Sequence, residues 1–166
     1  MERSVSGALR IGLISDTHGL LRNEIYAAFE GADEILHAGD VGDPAILTEL
    51  EVIAPVQAVF GNVDDWDVRE LAAESLELER QGHRIIVIHG HQWGSPRVED
   101  LTAAYPDSSV IVYGHTHQPL VERAEKTLIV NPGSAGHQHF GKPVSAALLD
   151  VEAGRPPAAR LVDLLR

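Results

Sequence analysis

Five short apolar runs in this chain each end abruptly in side chains able to bind a metal, and this repeated pairing constrains the fold more than any other feature. Residues 11–15 lead into Asp16-Thr17-His18-Gly19, residues 35–38 into Gly39-Asp40, and residues 56–60 into Gly61-Asn62. Residues 85–88 lead into His89-Gly90-His91, and residues 110–113 into Gly114-His115-Thr116-His117. Short apolar runs bounded by turn residues read as buried strands. In open α/β sheets the ligand crevice lies beyond the carboxyl ends of the strands, so the five polar ends can converge on one site. Glycine beside these ends fits tight strand exits, where the backbone turns sharply or approaches a neighbour closely. Asp16 and His18 stand two residues apart, as do His115 and His117. If extended backbone persists that far, the spacing points both members of each pair to one face.

Between the strands, residues 23–29, 44–50 and 96–104 read as helices. Asp43 is placed at the N-cap of the second, with Pro44 in its first turn, and Ser95 caps the third. Residues 34–37 form the second strand, and 76–79 and 84–88 pair about a Gln81-Gly82 turn. The last third is β-rich, with strands over 120–124, 127–130, 144–150 and 160–164. Asn131-Pro132-Gly133 and Gly154-Arg155-Pro156-Pro157 separate these pieces. With 166 residues, no repeat and no long linker, the chain reads as one α/β domain over 1–166, strands inside and helices outside.

Charge narrows the partners. A formal charge of −12 repels a phosphate backbone, so extended nucleic-acid binding is not expected, and a phosphate ester would be admitted only where cations sit in the acidic scaffold. The absence of Cys removes disulfides, thiolate ligands and a Cys nucleophile together. Ser134 lacks a Gly-x-Ser-x-Gly setting, and no Gly-x-x-x-x-Gly-Lys phosphate loop occurs. No membrane partner is expected, since no run of about 20 apolar residues is present. Arg10 interrupts the apolar stretch that a signal peptide would need, so the expected location is cytoplasmic.

The donor types set the chemistry. Asp16, His18, Asp40, Asn62, His89, His115 and His117 offer carboxylate, amide and imidazole groups, a mixture that suits Mn, Fe, Zn, Co or Ni better than Mg or Ca. Seven ligands with one bridging carboxylate give four protein contacts to each of two ions. Two ions about 3.5–4 Å apart can activate a water and clamp a phosphoryl oxygen.

Taken in order, Asp16-x-His18, Gly39-Asp40, Gly61-Asn62, His89 and Gly114-His115-x-His117 resemble the calcineurin-like metallophosphoesterases. The short length, His89-Gly90-His91-Gln92 and Asn131-Pro132-Gly133-Ser134 look like the small bacterial and archaeal phosphodiesterase branch, which the eukaryotic retromer subunit Vps29 also resembles. The likeness covers residues 11–150. It implies a four-layer αββα sandwich of two mixed β-sheets flanked by helices. It implies that Asp16, His18 and His117 hold one metal, that Asn62, His89 and His115 hold the other, and that Asp40 bridges them. The implied cofactors are two divalent transition-metal ions, Mn first, with Ni, Co, Fe and Zn as alternatives. The implied reaction is hydrolysis of a small phosphodiester or phosphomonoester by a hydroxide bridging the metals. The alternative is a catalytically weak or silent protein-interaction scaffold of the Vps29 type. Such scaffolds tend to lose ligands, whereas all seven positions here carry competent side chains.

One departure stands out. Many family members have a His directly after Gly-Asn that contacts the phosphate and assists the leaving group, and here that position is Val63. His91 is the candidate catalytic residue in its place, and Asn62 and His91 are the candidate substrate-binding residues; a loop histidine behind the ligands is the other reading of His91. His137 and His139 are lesser candidates. His37 is expected to be a hydrogen-bonded core histidine and His83 part of a hairpin turn, while Asp64 and Asp65 shape the loop after Asn62. Trp66 and Trp93 either line a substrate pocket or simply pack. Substrate, native metal and formation of a homo-oligomer stay open at this point.

Overall fold

The computed structural model describes residues 7–166 and contains two mixed five-stranded sheets. In the first, β1 (Leu9–Ile14), β2 (Glu34–His37) and β3 (Val56–Ala58) run parallel. β9 (Ser145–Val151) lies antiparallel to β1, and β10 (Ala158–Asp163) antiparallel to β9, giving the order β10-β9-β1-β2-β3. In the second, β5 (His83–Ile88), β6 (Val110–Val112) and β8 (Thr127–Asn131) are parallel. The antiparallel edges β4 (Ser75–Arg80) and β7 (Leu120–Ala124) complete the order β4-β5-β6-β8-β7. Among the described residues, no helix is long and apolar enough to cross a membrane.

Strand alternation sorts the core into layers. Ile11, Leu13, Leu36, Ala38 and Leu149 of the first sheet meet Ile85, Val87, Val110, Val112 and Val130 of the second in one cluster between the sheets. The opposite face of the first sheet packs Ile14 and Ile35 against Ile25 of α1 (Glu24–Ala28), Phe29, and Ile46 and Leu50 of α2 (Ala45–Leu50). Gly12 leaves room there for the Phe29 ring, which a Cβ would approach to 2.9 Å. The far face of the second sheet packs Ile86, Ile88 and Ile111 against Leu101 of α4 (Val98–Ala104). Parallel strands covered on both faces read as continuous apolar runs, which is why the five runs were visible in the sequence. Each fully buried Ile or Leu contributes about 1.5–3 kcal/mol.

Several boundaries differ from expectation. The third expected helix starts at Val98 rather than residue 96, with Arg97 at its N-cap and Ser95 outside. The Asp100 carboxylate accepts the Arg97 N–H at 2.9 Å, an anchor three residues into the helix that fixes the start there. Asp43 does serve α2, its carboxylate accepting the Ala45 N–H at 2.9 Å, although Pro44 occupies the cap position. A one-turn helix, α3 (Trp66–Arg69), has no counterpart in the sequence reading; Arg69 secures it by donating to the Asp64 carbonyl and lying over the Phe60 ring. β3 stops at Ala58 because the chain then bridges from Val59 to Ala73, and β10 begins two residues early and ends one early. The Gln81-Gly82 turn has both residues at positive φ, the geometry a two-residue hairpin needs, and His83 opens β5 opposite Arg80 rather than sitting in the turn.

Candidate metal centre

The five strand ends meet at one edge of the two sheets. Beyond β1 and β2 the pairing continues, with Asp16 N–H donating to Gly39 O and His18 N–H to Asp40 O, each at 3.0 Å. Buried His37 ties the same loops through its ring. Its Nδ1 accepts the Gly39 N–H at 3.1 Å, so the ring proton is on Nε2 and is donated to Thr17 Oγ1 at 3.0 Å; Thr17 in turn donates to Val41 O. Burial pushes the His37 pKa down to about 4, which keeps the ring neutral in this single tautomer. Asp64 lashes the third loop to the second, its carboxylate accepting N–H groups from Val41, Gly42 and Gly61 at 2.8–3.1 Å. Both expectations, a satisfied core histidine and a loop-shaping aspartate, hold.

The spacing argument for paired ligands needs correction. Asp16, His18, Asp40, His115 and His117 all sit at positive φ, between 46° and 70°, so they leave the strands through left-handed turns and not by extended backbone. The other two described non-glycine residues at positive φ, Gln81 and Glu125, are in hairpin turns. Left-handed backbone costs about 1 kcal/mol or more at such residues, and strain of this kind collects where a function holds it in place.

The side chains form two clusters. Asp16, His18 and His117 place one ligand atom each within 4.8 Å of one another, and so do Asp40, His89 and His115. Asp16 Oδ2 accepts the Ser15 hydroxyl at 2.6 Å and the His115 N–H at 3.1 Å. Its Oδ1 faces His117 Nε2 at 3.2 Å and His18 Nε2 at 3.7 Å, buried and without a hydrogen bond. Asp40 stands between the clusters: its Oδ2 is 3.1 Å from His89 Nε2 and 3.7 Å from His18 Nε2, while its Oδ1 accepts the Val63 N–H. A Cβ on Gly61 would overlap Asp40 Oδ1, so only glycine lets the third loop come this close.

His89 shows what kind of group the centre suits. Its Nδ1 bonds the Ala38 carbonyl at 2.8 Å, and a carbonyl only accepts, so in the neutral ring the proton is on Nδ1 and the Nε2 lone pair points at the Asp40 carboxylate. Two acceptors face each other in a buried site, an arrangement that requires a proton or a cation between them. The electrostatics agree. Burial pushes the Asp16 carboxyl up, but His117, His18 and Ser15 outweigh it and hold it well below the usual carboxylate range. Asp40 follows the same pattern, burial against His89 and the Val63 N–H, with a net lowering. His18 is raised by its contact with Asp16; His89 is lowered by burial but raised on balance by Asp40 and Asp16. The carboxylates therefore stay charged and draw positive charge into the centre.

Asn62 is exposed on the turn between Gly61, packed on Asp40, and Val63, bonded to it. His91 lies beside the second cluster, its ring 5.4 Å from His89 and 6.3 Å from His115, with Nδ1 buried and unbonded. Burial, helped by His89 and His115, pushes its pKa down. His139 lies beside the first cluster, 4.0 Å from His117, whereas His137 is exposed. Trp93 packs on the outer core of the second sheet, and Trp66 is exposed at the start of α3.

The sequence profile of the calcineurin-like phosphoesterase superfamily domain matches residues 9–154. The chain belongs to this superfamily. It is 37% identical over 134 residues to a probable metallophosphoesterase of Methanothermobacter thermautotrophicus, covering 75% of this chain and 76% of that protein. It is 30% identical over 169 residues to phosphodiesterase YfcE of Escherichia coli K12, covering 86% and 88%. A variant of Vps29 from Entamoeba histolytica superposes with a TM-score of 0.78 at 19% identity, covering 93% of this chain and 99% of that one, a likeness of fold. Membership of the calcineurin-like phosphoesterase superfamily and a fold of two mixed sheets are thus established, and the candidate metal-binding groups lie where the strands end.

Some of the groups that organise the centre carry little signal in the sequence. Ser15 is a common strand residue that here steers Asp16, and the Val63 amide orients Asp40 whatever its side chain. Asn131, visible only within its Pro-Gly-Ser turn, donates to Gly114 O and Thr116 Oγ1 and so positions the His115 and His117 loop. Ser134 is buried and donates to Asp16 O, a structural bond consistent with its rejection as a nucleophile.

Proposed function

We propose that this phosphoesterase hydrolyses a small phosphodiester or phosphomonoester with two divalent transition-metal ions. Asp16, His18 and His117 would hold one ion, Asn62, His89 and His115 the other, and Asp40 would be shared. The observation that carries this reading is the set of buried atoms Asp16 Oδ1, His18 Nε2 and His89 Nε2, none hydrogen-bonded, with His18 Nε2 3.7 Å from both Asp16 Oδ1 and Asp40 Oδ2 and His89 Nε2 3.1 Å from Asp40 Oδ2. A proton relieves one such contact, whereas a divalent cation satisfies several lone pairs together. Imidazole with carboxylate suits Mn, Co, Ni, Fe or Zn, and Mn is the first choice.

Bound divalent cations would lower the pKa of water and neutralise charge developing on a phosphoryl oxygen. The chain's residues supply the rest. Ser15 and the His115 N–H fix Asp16, Ala38 O fixes the His89 tautomer, and the Val63 N–H fixes Asp40, so the ligand atoms are oriented before substrate arrives. His91 stands beside the second cluster, where its ring can contact the phosphate or protonate the departing oxygen. Elemental analysis should find two transition-metal ions per chain and an Asp40→Ala variant that loses most of both; unchanged metal in that variant would refute the shared-ligand role.

A second reading, a weak or silent protein-interaction scaffold, draws on Val63, which is 52% exposed where many relatives carry a phosphate-contacting His, and on the likeness to Vps29. Metal-loaded protein that turned over no phosphate ester would favour it.

A further inference from the structure

His139 belongs to neither ligand cluster, yet it faces one of them. Its ring lies 4.0 Å from that of His117 and 6.3 Å from that of His18. Its Nε2 is buried and has no hydrogen-bond partner among the described residues. Leaving a buried polar nitrogen unpaired is unfavourable, so its surroundings call for a partner that none of the described residues provides. Its nitrogens also fall outside the group of atoms, from Asp16, His18 and His117, that lie within 4.8 Å of one another, so its position is beside a metal cluster and not in it.

The segment that carries His139 is stitched to the ligand loops. Ser134 donates to Asp16 O, Ala135 N–H to Ser15 O, and Arg22 to Gly136 O at 2.8 Å. Past His139, the Lys142 N–H closes a turn on His139 O at 3.0 Å, and Lys142 Nζ donates at 2.6 Å to the carbonyl of Thr116, the residue between His115 and His117. Arg22 and Lys142 thus hold backbone carbonyls, and the imidazole is left to face the centre. His91 occupies the matching place on the other half, 5.4 Å from His89, with its own nitrogen unbonded.

We infer that His139 is a substrate-binding residue that hydrogen-bonds a phosphoryl oxygen over the Asp16, His18 and His117 half of the centre. The inference rests on the phosphoesterase reading above. Phosphate oxygens are acceptors, so a bound phosphate selects the tautomer with its proton on Nε2, and the unpaired nitrogen gains its partner. With His91 on the far half, the phosphoryl group is gripped from both sides by neutral donors, a geometry suited to an acidic protein in which Arg22 and Lys142 hold backbone carbonyls.

The test compares metal-loaded wild type with His139→Ala, His139→Gln and, as a control on the same loop, His137→Ala. Three measurements are made: metal content, affinity for inorganic phosphate by calorimetry, and hydrolysis of an aryl phosphate ester. His139→Ala should keep both metals and bind phosphate roughly 10- to 100-fold more weakly, the range for a hydrogen bond to a charged group. His139→Gln, which retains an N–H donor, should recover part of that loss, a rescue that a purely structural role would not give. His137→Ala should match wild type. If wild type binds phosphate and hydrolyses the ester while His139→Ala does both equally well, the inference fails and the phosphoesterase reading stands. Loss of one metal from His139→Ala would overturn it in favour of a ligand role. Metal-loaded wild type that neither binds phosphate nor cleaves any ester would overturn the functional reading and this inference with it.

Discussion

His37 makes the fold acid-sensitive in a way that can be isolated. The perturbation is His37→Gln, which removes the titration and keeps a polar side chain in the site between Thr17 and Gly39. The ordinary pKa of 6.5 falls to about 4 in the fold, because burial disfavours the charged ring. A depressed histidine pKa means that the unfolded chain binds the extra proton first. The stability this group contributes is therefore fully present above pH 6.5 and is lost as pH falls toward 4. With those two values the loss is about 2 kcal/mol between pH 7.5 and 5, approaching about 3 kcal/mol below pH 4. Urea unfolding of chelated wild type and variant at pH 7.5 and 5 measures it, chelation keeping the ligand histidines equivalent in the two proteins. The variant will be weaker at both pH values through lost hydrogen bonds, but its decrease on acidification should be about 2 kcal/mol smaller than that of wild type. Parallel decreases in the two proteins would refute a neutral buried His37.

Other consequences follow from the centre. Chelated protein should be inactive and should regain hydrolysis of an aryl phosphodiester with Mn, Co or Ni but not with Ca, since imidazole-rich sites disfavour hard Ca; equal recovery with Ca would contradict the donor assignment. Gly61→Ala should weaken metal binding roughly 10–100-fold, because its Cβ would displace the Asp40 carboxylate, and a metal titration of the folded variant checks this. Val63 donates no proton from its side chain, so aryl esters should be cleaved well and alkyl esters poorly, and His91→Ala should lose about 10²–10⁴-fold mainly on alkyl esters. Rates insensitive to the leaving group in both proteins would remove His91 as the acid.

The strand ends were legible because burial on both faces writes continuous apolar runs, and a polar side chain ending such a run is conspicuous at 16, 40, 62, 89 and 115. Division of the ligands between two ions is not legible from spacing and is implied only by the family resemblance; in space Asp16, His18 and His117 gather in one group and Asp40, His89 and His115 in another. Pairing at spacing two was anticipated for the wrong reason. Asp and His are enriched among non-glycine residues at positive φ but adopt it in only a small minority of cases, so the sequence favours extended geometry where positive φ holds instead. His139 was underweighted because its contact with His18 spans 121 positions of chain, and only the bonds of Ser134, Ala135 and Lys142 bring it there. α3 escaped notice because a single turn shows no periodicity, and its hold depends on Arg69 reaching Asp64 and Phe60.

Five candidate ligand positions in left-handed backbone, at about 1 kcal/mol each, amount to of order 5 kcal/mol, a large share of the 5–15 kcal/mol that stabilises an ordinary domain. Such loops persist only if neighbouring bonds hold them. The candidates are specific: His37 between the first two loops, Asp64 with three N–H groups between the second and third, Asn131 under the fifth, and the Asp16 carboxylate receiving the His115 N–H across the sheets. Most of these bonds join different segments of the chain, those of Gly39 to His37 and of Gly61 to Asp64 being local, and none uses the atoms left unpaired at the centre. The scaffold holds the Asp16 carboxylate through Ser15 and the His115 N–H, and the His89 ring through Ala38 O, so the positions of Asp16 Oδ1 and His89 Nε2 are set by bonds made elsewhere. On the proposed reading, a cation bound at this centre would meet atoms already in place, so its binding free energy would not be spent on ordering the loops. That is the physical sense in which the five strand ends, the left-handed turns and the unpaired acceptors form one device.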